Sequence, residues 1–356
     1  MPDRWIEEEV DSLRASLDDT PKINPFSWMV ETICGVTMVD GADGSSRKNR
    51  PPRLRVALVS MPKFPFELCK LSSLTVGTAS PAGIDPRACA RTLVSFKGAA
   101  PGQMLRAFNE ALDAAIETFR ANVICVSELG LPSEDMVPMP EAKQLAWQKS
   151  QDHKVLIVAG SAHDSRTLYN TGYLFRPGGP KDGHGFHKTV SARSVEELIS
   201  SPASRRVVAL NFAGFQIAVM ICLDIADYAS IASVVKVADG VDILLVPCYT
   251  PKFEEMVSIA KVTSKALPGI VALVNADLPE CTAKPCQIAH FGKLAAASKT
   301  KKLKSGAIIS LLDIDCAEFE KTRNEMKSSE DPKIKRMMRE METLFGRRDM
   351  PSVRTP

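Results

Sequence analysis

Net charge is nearly absent from this chain. Across 356 residues, 45 Lys and Arg stand against 42 Asp and Glu, a formal charge of +3. So small a surplus argues against a dedicated nucleic-acid or acidic-polymer binder. Any CxxC pair is also missing. The nine cysteines (Cys34, Cys69, Cys89, Cys125, Cys222, Cys248, Cys281, Cys286 and Cys316) are scattered and odd in number, which fits a reducing cytosol better than a disulfide framework. The opening stretch MPDRWIEEEVDSLRASL is acidic and amphipathic and has no apolar core segment. The expectation is a cytoplasmic chain without a secretory signal. The longest apolar stretch, Val207 to Ala226, approaches membrane-spanning length. Asn211, Gln216 and Asp224 interrupt it and Ala213-Gly214-Phe215 reads as a turn, so a hairpin is expected and no membrane contact. The five histidines (His153, His163, His184, His187, His290) show no metal-ligand spacing, and neither a metal nor a cofactor is expected. GGPKDGHG lacks the Lys-Ser/Thr of a phosphate loop and a following helix, and reads as a hairpin turn. No repeat of solenoid period is visible.

What is present is an ordinary globular composition, 45% hydrophobic and 24% charged. It is enough for one large α/β domain or two smaller ones. Residues 1–53 read as an extension and linker, ending in the Gly-, Ser- and Pro-containing GADGSSRKNRPP. Regular patterning starts at LRVALVSMP, a compact aliphatic strand stopped by Pro62. Met104, Leu105, Phe108, Leu112, Ala115, Ile116 and Phe119 follow helical spacing, and the strand ANVICVSELGLP comes directly after. KVLIVAGSAHD with TLYNTGYLFRPGG, and RVVALNFAGFQIAVMICLDI, read as two hairpins. YASIASVVKVADG is expected as a helix closed by glycine, then strand VDILLVPCYTP, helix PKFEEMVSIAKVTSKAL, strand GIVALVNADLP and strand SGAIISLLDID. Residues 54–315 thus form an α/β domain with mixed sheets, and 316–356 a charged helical extension. The basic run KTKKLK (299–304) reads as a solvated face.

Three residues stand just past expected strand ends, where α/β proteins commonly place their sites: Glu128 in VICVSELGLP, Lys188 in GHGFHKTV and Cys222 in AVMICLD. Singly they are unremarkable, since a loop Glu and a lone Lys are usually solvated and free cysteine is among the most buried residue types. Together they describe one chemistry. A thiol attacks as thiolate and needs a base or a positive charge beside it. A carboxylate whose pKa burial raises can take that proton. An ammonium then steadies the thiolate and the oxyanion formed at a carbonyl or nitrile carbon. The backbone N–H of Leu223 is a candidate second oxyanion donor. Cys125 is three positions before Glu128, on the opposite strand face, and is expected in the core. Cys248 ends an aliphatic strand and could line the same pocket.

In that chain order, and in the downstream context CLDIADYASIASVVKVADGVDILLVPCYTP followed by GIVALVNADLP with Asn275, residues 54–315 resemble the nitrilase superfamily of carbon–nitrogen hydrolases. The resemblance implies a four-layer α-β-β-α sandwich that assembles as dimers or larger homo-oligomers. It implies Glu128 as base, Lys188 as oxyanion partner and Cys222 as nucleophile, with a thioester intermediate and a small amide or nitrile as substrate. An amidase is the first expectation. Glu196, less so Glu197, would supply the family's second, substrate-positioning glutamate, and Tyr249 a pocket wall. The departures are Ser127 where the family commonly has Pro, Leu223 where it has an aromatic residue, and Ala226-Asp227-Tyr228-Ala229 where it has Arg-Phe-Pro-Glu. Two alternatives stay open: an acyltransferase using the same triad, and a catalytically weak interaction or regulatory module, with the terminal extensions offering a surface to a protein partner.

Overall fold

The computed structural model describes residues 36–39, 50–70, 92–96, 98–132, 138–163, 170–188, 207–226 and 240–328. Several expectations fall outside these: most of the N-terminal extension, Glu196 and Glu197, the helix expected at 228–240, the altered segment Asp227-Tyr228-Ala229, and the tail after 328.

The chain runs β1 (Val36–Val39), β2 (Arg53–Ser60), β3 (Phe66–Lys70), β4 (Thr92–Phe96), α1 (Ala100–Asp113) and β5 (Val123–Val126). It continues through α2 (Pro138–His153), β6 (Leu156–His163), β7 (Asn170–Phe175), β8 (His184–His187), β9 (Val207–Phe212) and β10 (Phe215–Val219). It closes with β11 (Ile243–Cys248), α3 (Phe253–Ala266), β12 (Ile270–Asn275), β13 (Cys286–His290), β14 (Lys293–Ala295), β15 (Lys299–Lys302), β16 (Ile308–Asp315) and α4 (Cys316–Ser328).

The larger strands assemble into two seven-stranded mixed sheets, ordered β15-β16-β2-β5-β6-β7-β8 and β1-β9-β10-β11-β12-β13-β14. Strand alternation sorts the side chains between layers. Leu54, Val56 and Leu58 of β2, and Val123 and Cys125 of β5, face the second sheet and join its Ile217, Val219, Leu244 and Val246 in one core. The intervening Ala57, Val59, Ile124 and Val126 face outward, against Phe108, Ala111 and Leu112 of α1 and Ala142 and Ala146 of α2. On the far side, Phe253, Met256 and Ala260 of α3 and Phe319 of α4 cover the second sheet. The result is the expected four-layer α-β-β-α sandwich, with Cys125 in its core as the strand spacing required.

The two expected hairpins and the expected Gly-rich hairpin turn all form: β6 and β7 pair antiparallel. β9 and β10 pair antiparallel around Ala213-Gly214, which take φ of 50° and 76°, the doubly positive geometry of a twist-matched two-residue turn. β7 and β8 pair antiparallel around the Gly-rich loop. The expected helix starts at Ala100, with Pro in its first turn, and widens after Asp113 into a π-helical turn at Ala114–Thr118. The β3–β4 ribbon, the helix α2 and the short strands β13, β14 and β15 were not foreseen. They are brief or polar: Lys299–Lys302 is exposed throughout as an edge strand, so that part of the basic run is a solvated face.

Arg50 and α4 pack on the core of the two sheets. Arg50 stacks its guanidinium over the Phe215 ring, 4.2 Å from the centroid, and pairs with Asp242 at 2.6 Å. Arg323 of α4 pairs with the same Asp242, and Arg50 also pairs with Glu320. Among the described residues, no helix is long and apolar enough to cross a membrane.

Candidate active site

Glu128 sits on a corner that the backbone fixes tightly. β5 lies between its parallel neighbours β2 and β6. Just past its end the Ser127 N–H donates to Val59 O at 3.0 Å, and the Ser127 hydroxyl accepts the Met61 N–H at 3.2 Å. The chain then reverses. Leu129 takes φ +55°, the Gly130 N–H returns to Ser127 O at 3.1 Å, and the Ser161 hydroxyl accepts the Leu129 N–H at 3.2 Å. Ser161 comes from an irregularity in the β6–β7 register between Val158 and Ser161. There Gly160, at φ +80°, lets β6 approach so closely that a Cβ would lie 2.5 Å from Ser127 O. No side chain fits there, so glycine is required for the corner to close.

Lys188 reaches Glu128 from the neighbouring hairpin. Its Nζ donates to Glu128 Oε1 at 2.7 Å, with both side chains only 2% exposed. Asn170 ties the two together. Its carbonyl accepts the Lys188 N–H at 2.9 Å, and its side-chain Nδ2 donates to the same Glu128 Oε1 at 2.9 Å. One buried asparagine thus sets the lysine's backbone and the glutamate's carboxylate at once. β8 is seated by Phe186, whose ring occupies the space over Gly172; a Cβ on Gly172 would meet it at 2.3 Å.

Cys222 follows β10 and begins a 3-10 turn, Cys222–Ala226. It is a buried non-glycine residue at φ +49°. That left-handed geometry costs an L-residue about 1–2 kcal/mol, and such strain collects at functional turns. Beside it, at the end of the parallel strand β11, is Cys248. Burial, the neighbouring Cys222 as hydrogen-bond partner, and the charges of Cys222 and Glu128 push the Cys248 thiol well up, while Lys188 pulls it down. Cys248 therefore lies within the field of all three candidate residues, which gather at one end of the two sheets.

Tyr249 is the next residue. It packs against the cluster of Phe96, Ala100, Met104 and Leu129. Burial first, then the charges of Glu280 and Glu128, push its phenol up. Asn275, at the end of β12, holds the following loop by accepting the Thr250 N–H and donating to Thr250 O, both at 2.9 Å. Leu223 is half-buried and rests on the inter-sheet core.

Of the sequence-derived residues, Glu128 and Lys188 are in direct contact, Cys222 neighbours Cys248, and Tyr249 packs on Leu129. Asn170 was missed. Its signal was the hairpin register: Thr171 pairs with His187, which sets Asn170 opposite Lys188. Among the described residues, no group of His, Cys, Asp and Glu could hold a metal ion.

No family model matches the chain, and no curated protein matches its sequence. Solved structures do match. A CN-hydrolase superfamily protein of Xanthomonas campestris, with an arsenic adduct in its active site, aligns over 78% of this chain and 98% of its own, at 12% identity and a TM-score of 0.55. Saccharomyces cerevisiae Nit3, a member of branch 10 of the nitrilase superfamily, aligns over 81% and 99%, at 14% identity and a TM-score of 0.53. A carbon–nitrogen hydrolase of Helicobacter pylori aligns over 81% and 98%, at 12% identity and a TM-score of 0.51. At such identities the likeness is one of fold: the chain has the nitrilase-superfamily fold.

Proposed function

We propose that this protein is a thiol hydrolase of non-peptide carbon–nitrogen bonds, a divergent nitrilase-superfamily amidase acting on a small molecule. The observation that carries the reading is the buried Lys188–Glu128 pair, 2.7 Å apart, beside a cysteine held at φ +49° on the turn after β10. Two charges removed from water in this way cost several kcal/mol that a hydrophobic pair would not, and folding alone gives no reason to set a strained cysteine next to them. Solved hydrolases of the same fold support the reaction class.

In this reading Glu128 takes the proton of Cys222, and the thiolate attacks the amide carbonyl carbon. Lys188, with the Leu223 N–H, holds the oxyanion in a site closed to bulk water, where such donors act most strongly. The C–N bond breaks, Glu128 returns the proton to the leaving ammonia or amine, and a thioester remains on Cys222. Glu128 then draws a proton from water, which attacks the thioester and frees the acid. Asn170 keeps Glu128 aimed throughout. Tyr249 forms a wall of the pocket, Glu196 is the candidate for positioning the substrate, and a homo-oligomer is the expected assembly.

The test is ammonia release from a panel of amides, ureides and nitriles. Wild type is expected to release ammonia from at least one member, with Cys222→Ala inactive and Glu128→Gln slower by roughly 10²–10⁴-fold, the range of a general base. Ammonia release unchanged in Cys222→Ala sinks the proposal. Added amines in the same assay separate hydrolysis from acyl transfer by their products.

A further inference from the structure

Cys248 is a buried thiol beside Cys222 for which the hydrolytic mechanism has no use. β10 and β11 run parallel, with Ile217, Ala218 and Val219 opposite Ile243, Leu244 and Leu245. Pairing continues past the last of these, since the Met220 N–H donates to Leu245 O at 3.1 Å. Cys222 opens its 3-10 turn three residues after Val219, and Cys248 ends β11 three residues after Leu245. Both residues are buried, and the Cys248 thiol is the immediate neighbour of the Cys222 thiol. Its Sγ also donates to Val246 O of its own strand at 3.4 Å. The other cysteines whose side chains are described are engaged elsewhere: Cys125 packs between the sheets, Cys286 lies against Leu58 O, Cys316 begins α4, and the Cys281 thiol lies on Thr250 O.

We propose that Cys248 is the resolving thiol of Cys222, so that a hydroperoxide converts the pair into a reversible disulfide that switches the site off and shields it from terminal oxidation. The inference rests on the reading of Cys222 as an activated thiol. In the first step the Cys222 thiolate attacks one peroxide oxygen. An S–O bond forms, the O–O bond breaks, and the second oxygen leaves as water or alcohol with a proton, giving the Cys222 sulfenic acid. In the second step the Cys248 sulfur attacks the Cys222 sulfur. The S–S bond forms, the S–O bond breaks, and hydroxide leaves as water with the Cys248 proton. Two electrons pass from the two sulfurs to the peroxide, and a dithiol reductant returns them. The pair divides the labour sensibly: burial keeps Cys248 a thiol that peroxide does not select, while it waits in contact with the sulfur that peroxide does select. Without it the sulfenic acid proceeds to the irreversible sulfinic acid.

The full-length protein is exposed to hydrogen peroxide, alkylated without reduction, digested and mapped by mass spectrometry. The expected result is one dominant linkage, Cys222 to Cys248, that dithiothreitol removes. In Cys248→Ser, and in Cys248→Ala as a second variant, the expected product is Cys222 sulfinic acid that dithiothreitol leaves in place, with a matching permanent loss of each variant's own starting activity. An oxidised wild type in which Cys222 is linked to Cys281 or another cysteine, or in which Cys222 goes to sulfinic acid as readily as in the variants, overturns the proposal. A peroxide-inert Cys222 overturns it as well. Ammonia release by untreated wild type reads the hydrolase reading separately, since it proceeds whether or not the linkage forms.

Discussion

The Glu128 carboxylate is aimed by two donors on one oxygen, and only one of them, Lys188, carries charge. The other, Asn170, offers the cleaner probe. Removing Lys188 would strand a buried carboxylate, at about 3–5 kcal/mol of stability, and confuse folding with catalysis. Asn170→Ala leaves the ion pair but deletes a hydrogen bond to a charged group, a loss of about 1.5–3 kcal/mol. If the Asn170 bond matters chiefly to the transition state, kcat falls roughly ten- to a hundredfold with little change in KM, which steady-state kinetics will read; equal kcat in variant and wild type would show that Asn170 does not aim the base. Ser127 makes a second case. The residue the family commonly has here is proline, yet the Ser127 N–H bonds Val59 O and its hydroxyl receives the Met61 N–H. Ser127→Pro removes both, and is expected to lower stability by about 2–4 kcal/mol, seen as a lower urea midpoint. Glu128, Lys188 and Cys222 were legible because their residue types and order carry chemistry. Asn170 was not, because its role depends on a strand register that no local pattern announces.

The two sheets are built on one plan. In each, three neighbouring parallel strands (β2, β5, β6 and β10, β11, β12) are followed by two antiparallel ones (β7, β8 and β13, β14). The sequence shows no repeat because only the topology recurs. β2, β5, β6, β11 and β12 are wholly or largely buried runs of branched aliphatic residues and could be read directly. β13, β14 and β15 are short and partly exposed, so their pairing is decided by neighbours they meet only after folding. The β7–β8 hairpin joins element to site. Gly172 leaves the space into which Phe186 packs, and Phe186 is two residues before Lys188. Gly172→Ala forces that ring out of place. The expected cost is about 1–3 kcal/mol, the usual cost of overpacking, together with slower turnover because Lys188 moves with β8. Thermal unfolding and kcat measured on the same preparation test the link; an Ala variant as stable and as active as wild type would break it.

Across the whole molecule, Asp242 is the point at which the chain's separate parts are fastened. It sits at the start of β11, fully buried, and accepts from Arg50, from Arg323 of α4 and from the Gln216 N–H of β10. Asp242→Asn leaves two buried guanidinium groups short of an anion, an expected loss of about 3–5 kcal/mol. Because Cys222 lies at the other end of β10, turnover per folded molecule should hold. The same region carries a pH dependence. His290, at the end of β13, stacks on Phe319 of α4 with centroids 6.1 Å apart. Burial lowers its pKa from 6.5, against a smaller upward pull from Glu318. The unfolded chain therefore binds this proton more readily than the folded one, so stability rises with pH across the interval between the two values. His290 contributes no penalty above about pH 6.5; as pH falls below that, its contribution to stability declines until the lowered folded pKa is passed. His290→Phe keeps the aromatic contact and removes the proton. Urea midpoints measured from pH 7.5 down to 5 should fall less steeply in the variant than in wild type; parallel slopes would mean that His290 does not couple the docking of α4 to pH.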